Sequence, residues 1–154
     1  RSKFFRELKL KKNIKNKLLI LRLPGIYGKG DRFESTIGSI YKKIINNSPV
    51  AFNTYKLNYR TYLHIDDVCK IIGKFLNINQ KNQIINLVSE NYINFFDLSK
   101  IFNRYFINRR KKLNFSFYED KKNSNYLVFN NKILKKYIKN YKFITYQDGL
   151  KKYS

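Results

Sequence analysis

The sequence predicts an α/β fold, and three observations carry that expectation. Leu18 to Leu21 form an apolar run without alternation, the pattern of a strand covered on both faces of a parallel sheet. Ile37, Ile40, Tyr41, Ile44 and Ile45 then recur at helical spacing. After a second helical stripe, Ile84, Ile85, Leu87 and Val88 repeat the buried-strand pattern. Strands alternating with amphipathic helices bury their apolar faces by layering helices on a sheet.

Taken in order, Ser2 to about Lys12 predicts an amphipathic helix, with Phe4, Phe5 and Leu8 on one stripe. A turn with Asn13 and Asn16 leads into the Leu18–Leu21 strand, which ends at Pro24-Gly25. Gly25 to Asp31 holds three of the six glycines and predicts a loop at the carboxyl end of that strand. Open α/β sheets bind ligands at this edge. A helix follows from Ser35 to Asn47, stopped by Asn47-Ser48-Pro49. Val50 to Phe52 and Arg60 to Ile65 read as short extended pieces, the second with Thr61 and Leu63 alternating against Tyr62 and His64. Asp66-Asp67 precedes the helical stripe Val68, Ile71, Ile72, Phe75 and Leu76, where an aspartate would cap the first turn. Asn94 is placed to cap a helix whose apolar face is Phe95, Leu98, Ile101, Phe102, Tyr105 and Phe106. Leu113 to Tyr118 alternates like a strand, Glu119 to Asn125 is polar loop, and Ile133, Leu134, Tyr137 and Ile138 predict a short helix.

A chain of 154 residues without repeats or a Gly/Pro/Ser hinge predicts a single domain over 1–154. Hydrophobic residues at 43% and aromatics at 17% exclude a disordered tail. The formal charge of +23 points at first to an anionic partner. However, Lys, Asn, Ile, Tyr and Phe make up 90 of the 154 residues, and all five can be encoded with A and T alone. Arg, the bidentate phosphate ligand, numbers only 8, which argues against nucleic acid as the main partner. Cys69, the only cysteine, excludes a disulfide framework and cysteine metal clusters. It falls near the buried stripe of its helix and is expected in the core. No apolar run approaches the ~20 residues of a membrane span, and no signal peptide opens the chain, so a soluble cytoplasmic protein without membrane attachment is expected. There is no methionine and position 1 is Arg, so the chain is expected to have lost its start.

The loop Gly25-Ile-Tyr-Gly-Lys-Gly-Asp31 has no hydroxyl residue after Lys29 and lacks dinucleotide spacing, which leaves a simple turn or a ligand loop. His64, Asp66 and Asp67 carry metal-compatible groups, but ten scattered acids offer too few carboxylates for a hard-ion cage, and no metal site is expected. Arg109-Arg-Lys-Lys112 reads as a solvated turn, with phosphate contact as the alternative.

In order along the chain, these segments resemble a known family. Leu21-Arg-Leu-Pro-Gly-Ile-Tyr-Gly-Lys-Gly-Asp-Arg32 is similar to the strand and loop of extended short-chain dehydrogenase/reductases, the NAD-dependent epimerase/dehydratase group. Arg60-Thr-Tyr-Leu-His-Ile-Asp-Asp-Val68 resembles that group's Arg-Asp-Phe-Val-His-Val-Asp-Asp-Val. Ile85-Asn-Leu-Val-Ser89, Asn130-Asn-Lys-Ile-Leu134 and Tyr141-Lys-Phe-Ile-Thr-Tyr-Gln-Asp-Gly-Leu150 resemble its later elements. Ser2-Lys3-Phe-Phe-Arg-Glu7 is similar to the helix that carries the family's Tyr and Lys pair.

The resemblance implies the C-terminal part of a Rossmann-like parallel sheet plus a small substrate-binding α/β subdomain, with the dinucleotide-binding part absent. It implies a catalytic role for Lys3, which would hold the ribose of NAD or NADP and lower the pKa of a Tyr lying two positions before Arg1. The backbone of Pro24, Gly25 and Ile26 would lie against the nicotinamide, and Arg60 would bind the diphosphate of a nucleotide-linked sugar. Many members have Asn at the position of Gly25, Pro at that of Lys29 and Asp at that of Thr61, so substrate class carries over least. The expectation is an epimerase, dehydratase or reductase fragment, inactive alone and without hold on cofactor, pairing as a homodimer through helices that flank the sheet. A basic nucleic-acid-binding module and a degenerate structural remnant of the enzyme are the alternatives.

Overall fold

In the computed structural model, helices and strands alternate along the chain, and residues 2–31, 33–55, 57–78, 82–107, 113–118 and 129–153 are described. Helix α1 (Ser2–Asn13) leads to strands β1 (Leu19–Arg22) and β2 (Gly25–Tyr27), then to α2 (Thr36–Ile45), β3 (Val50–Tyr55) and β4 (Tyr59–His64). Next come α3 (Ile65–Leu76), β5 (Gln83–Asn86), β6 (Tyr92–Asn94) and α4 (Phe95–Ile107). The chain closes with β7 (Phe115–Tyr118), α5 (Lys132–Tyr137) and α6 (Tyr146–Lys151). The expected Arg109–Lys112 turn and the Glu119–Asn125 loop lie outside the described residues. No described helix is long and apolar enough to cross a membrane.

Three pairings are parallel: β1 with β5 (Leu19 opposite Gln83), β2 with β4 (Gly25 opposite Tyr62) and β3 with β7 (Val50 opposite Phe115). One is antiparallel, β4 with β6 (Tyr59 opposite Asn94). The expected fold class, a C-terminal remnant of a parallel sheet, is corrected here: one of the three described sheets, β2-β4-β6, is mixed, and parallel ladders and helices run through the whole described chain. Strands of three residues, as β2 and β6 are, leave no period to read, and the antiparallel edge was missed for that reason.

Strand β4 separates two apolar cores because side chains alternate across it. Tyr62 enters a cluster with Ile37, Ile40, Phe52, Phe95, Leu98 and Phe102. Leu63, the next residue, enters the other with Val68, Ile71, Phe75, Ile85 and Leu134. Strand β1 is not covered on both faces as expected: Leu19, Ile20 and Leu21 are half-buried. Helix α1 buries no residue, and its stripe of Phe4, Phe5 and Leu8 is exposed.

Helix starts follow the sequence in part. Ser35 caps α2, its hydroxyl accepting from Gly38 N at 2.9 Å. Asn94 sits ahead of α4 as expected, its Oδ1 accepting from Asp97 N at 2.7 Å while its Nδ2 donates to the Asp97 carboxylate at 2.8 Å. The cap of α3 is His64, not an aspartate: its Nδ1 accepts from Asp66 N at 3.2 Å. Asp67 is buried instead, and accepts from Tyr141 Oη at 2.7 Å and Ile144 N at 2.9 Å, holding the C-terminal segment against α3. Cys69, expected in the core, is exposed, one residue past the buried Val68 and so off the buried stripe.

Candidate functional site

The carboxyl end of β1 and the β2·β4 ladder bring most of the expected site residues together. Pro24 links β1 to β2, and Gly25 and Ile26 lie in β2 opposite Tyr62 and Leu63. Gly25 has no room for a side chain: a Cβ there would stand 2.6 and 2.9 Å from Cδ1 and Cε1 of Tyr62. The ring of Tyr62 therefore occupies the space that a larger residue at position 25 would fill. Arg60 is two residues before Tyr62, so it lies on the same face of β4, about 7 Å further along. It is half-buried, and its Nη1 donates to Tyr59 O at 2.9 Å. Ile26 turns to the opposite side and packs against the second core.

Lys3 is not part of this cluster. It stands exposed on α1, which is tied to β1 by a two-pronged ion pair of Arg22 with Glu7, Nε to Oε1 at 3.0 Å and Nη2 to Oε2 at 2.6 Å. Arg22 holds the Glu7 carboxyl below the usual carboxylate range. Further along α1, Lys11 and Ile14 line a cleft with Leu18 and Ile20, so α1 runs antiparallel to β1. Lys3, one turn ahead of Glu7, is thereby carried to the carboxyl end of β1, the side of Pro24 and Gly25.

Residues that sequence reasoning did not single out complete the surroundings. Tyr146 of α6 donates to Asn91 O at 2.7 Å and accepts from Tyr62 N at 3.2 Å, so one buried hydroxyl fixes β4 beside Arg60. On the other face of β4, the Thr61 and Ser89 hydroxyls meet at 3.2 Å. Asp31, at the end of the glycine loop, accepts from Phe33 N at 2.9 Å and Tyr153 Oη at 2.8 Å, and also bonds the Ser35 hydroxyl. Burial pushes the Tyr62 phenol up and lifts Tyr146 to about 12, so both hydroxyls stay protonated and available as donors. The links made by Tyr146 and Tyr153 join residues 55 to 122 positions apart, beyond the reach of any local pattern.

His64, Asp66 and Asp67 do not converge on a metal, and no group of three or more metal-ligating side chains occurs among the described residues. His64 is 2% exposed, with Tyr27 edge-on at 5.3 Å between ring centres. Its Nδ1 accepts the cap bond, so the ring is neutral with its proton on Nε2, which is buried without a partner. Burial lowers its pKa, aided by Lys152 and opposed by Asp66 and Asp67. An unfolded histidine titrates near 6.5. Below that pH the unfolded chain binds a proton that the folded chain refuses, so stability is full above about 6.5 and is lost as pH falls below it. As the chain has a single histidine, a drop in melting temperature between pH 7 and about 5.5 is expected from this residue. His64→Asn, which can still accept the cap bond, is expected to flatten that drop, and an equally steep variant would refute the assignment.

No protein-family model matches the sequence, and no curated protein matches it. Solved structures do. A UDP-glucuronic acid 4-epimerase from Bacillus cereus in complex with NAD aligns with a TM-score of 0.79 at 16% identity, over 99% of this chain and 48% of that one. A dTDP-glucose 4,6-dehydratase from Bacillus anthracis in complex with NAD aligns at 0.74 and 17%, over 98% and 47%. A UDP-glucose 4-epimerase from Thermotoga maritima with UDP-glucose aligns at 0.74 and 14%, over 97% and 48%. The fold is therefore one that this chain shares with these epimerase and dehydratase structures. Because the likeness takes in nearly every element from α1 to α6, the reading of this chain as merely a C-terminal portion of that fold is corrected. The chain spans about half the length of the solved structures it matches.

Proposed function

We propose that this chain carries the nucleotide-sugar site of an NAD(P)-dependent epimerase, dehydratase or reductase. The observation that carries the reading is the pairing of Gly25 with Tyr62, which sets Arg60 beside a strand end that bears no side chain. Arg60 presents a planar fork of donors that matches the oxygens of a diphosphate, and its half-buried position on a strand limits how far the fork can stray. Tyr62 forms the floor beside it, held by Tyr146.

The same edge fits the nicotinamide end of a dinucleotide. Gly25 is exposed and follows the half-buried Pro24, so the backbone there offers a flat surface to a planar ring. The ammonium of Lys3, on the adjoining helix, suits a ribose hydroxyl. When bound, the nicotinamide exchanges a hydride with a carbon of the sugar. The chain's own residues orient: Arg60 fixes the diphosphate, Gly25 and Pro24 give the ring its seat, and Lys3 holds the ribose.

Calorimetric titration with UDP-glucuronic acid tests the reading. Saturable binding is expected, competed by UDP and not by glucuronic acid. Arg60→Met is expected to weaken it about tenfold or more, and Arg60→Lys less, because a point charge replaces part of the fork. Unchanged affinity in Arg60→Met, or displacement of the sugar nucleotide by random-sequence DNA with a steep salt dependence, would sink it.

A further inference from the structure

A cleft of about 640 Å³ lies between the loop that follows β5, helix α5 and the segment that joins α5 to α6, and neither Arg60 nor Pro24 to Ile26 lines it. Spaces of this size suit a small ligand. Lys135, Lys139 and Lys142 line it, and among its described residues Glu90 is the one acid. Glu90 pairs with Lys135. Lys139 and Lys142 pair with no acid among the described residues, so the cleft keeps two unbalanced positive charges.

Lysine is common throughout a chain of formal charge +23, so charge alone marks no site. The walls single this one out, because each is pinned from behind. Asp67 accepts from Tyr141 Oη at 2.7 Å and from Ile144 N at 2.9 Å, which holds the segment carrying Lys142. Asn131 Nδ2 donates to Val88 O at 3.3 Å, and Asn91 O accepts from Tyr146 Oη at 2.7 Å. The cleft is therefore shaped before a ligand arrives, which lowers the ordering cost of binding. Its chemistry selects the ligand. Two ammonium charges balance a phosphate monoester, a dianion above its second pKa near 6. Beside the lysines, the amides of Asn91 and Asn140 both donate and accept, as hydroxyl groups require.

We propose that this cleft binds a sugar phosphate, with the phosphate on Lys139 and Lys142 and the sugar hydroxyls on Asn91 and Asn140. The site does not rest on the nucleotide-sugar reading, since Arg60 has no part in it. Glu90 tunes its affinity by holding Lys135, a third cation, away from the phosphate.

The test is calorimetric titration of the 154-residue chain with glucose 6-phosphate. Saturable binding is expected with a dissociation constant below about 1 mM, with inorganic phosphate about fivefold weaker and glucose not bound. Lys139→Gln and Lys142→Gln, both at exposed positions, are each expected to weaken binding about fivefold. Lys43→Gln, an equal loss of charge on α2, is expected to leave it unchanged. Glu90→Gln releases Lys135 and is expected to tighten binding about threefold, a gain that a damaged fold cannot produce. The proposal is overturned by no heat up to about 10 mM ligand, or by inorganic phosphate binding as tightly as the sugar phosphate. It is overturned equally by a loss in Lys43→Gln that matches those of the cleft lysines, or by a Glu90→Gln variant that binds no more tightly.

Discussion

Replacing Asp67 with alanine is expected to cost about 3 kcal/mol, read as a fall of roughly 10 °C in melting temperature. Asp67 is 1% exposed and belongs to the first turn of α3, yet both of its bonds reach the C-terminal segment, to Tyr141 Oη and Ile144 N. Hydrogen bonds to an ionised acceptor contribute roughly 1.5–3 kcal/mol each, and Tyr141, only half-buried, can recover part of its loss from water. That places the sum near the lower end. Burial, together with the bond to Asp67, pushes the Tyr141 phenol up, which keeps it a donor throughout the working range. The effect should also reach the proposed site, because residue 144 leads straight into α6, whose Tyr146 fixes β4 beside Arg60. Thermal denaturation followed by circular dichroism measures it, and a loss below about 1 kcal/mol would mean that the segment is held by its apolar contacts instead.

Gly149→Ala is expected to be as damaging, and for a different reason. A Cβ at Gly149 would lie 2.7 Å from Cε2 and 2.9 Å from Cζ of Tyr27. The ring has nowhere to go: it is 2% exposed, edge-on to His64, and stacked with Tyr146 at 6.1 Å and Tyr153 at 6.4 Å. Overpacking of this kind costs about 3 kcal/mol. Gly73 supplies the control, since it lies inside α3 with no atom within 4 Å of an added Cβ. Gly73→Ala is expected to stabilise by about 0.5–1 kcal/mol through the entropy of the unfolded chain. If the two substitutions moved the denaturation midpoint in the same direction, the close approach of α6 to Tyr27 would be wrong.

Helix positions were legible wherever an apolar stripe and a local cap coincided. Ser35 and Asn94 are three residues before the amides they bind, and both helices begin where their sequences say. The start of α3 was legible but its agent was not: two aspartates lead the apolar stripe, and the histidine before them accepts the bond. The burial of Asp67 has no local signature at all, because its partners are 74 and 77 residues away. Strand β1 looked like an interior strand because Leu19 to Leu21 are apolar on both faces, and composition cannot tell which edge of a strand is paired. In the candidate site, Arg60 and Pro24 to Ile26 are proposed from motif resemblance, whereas Tyr62 and Tyr146 enter only once the register Gly25 opposite Tyr62 is known.

The tyrosines around Tyr27 have an optical consequence. The chain has 13 tyrosines and no tryptophan, so its near-ultraviolet dichroism comes largely from phenol rings. Tyr41 stacks on Tyr153 at 4.7 Å, Tyr153 on Tyr27 at 6.4 Å, and Tyr27 on Tyr146 at 6.1 Å. These rings come from α2, from β2 and from the last residues of the chain, and at such spacings their transitions couple. Any event that lifts the C-terminal segment off β2 breaks the stack at two rings at once. The molecule therefore contains its own chromophore for the docking of that segment, free of label and distinct from the far-ultraviolet signal of the helices.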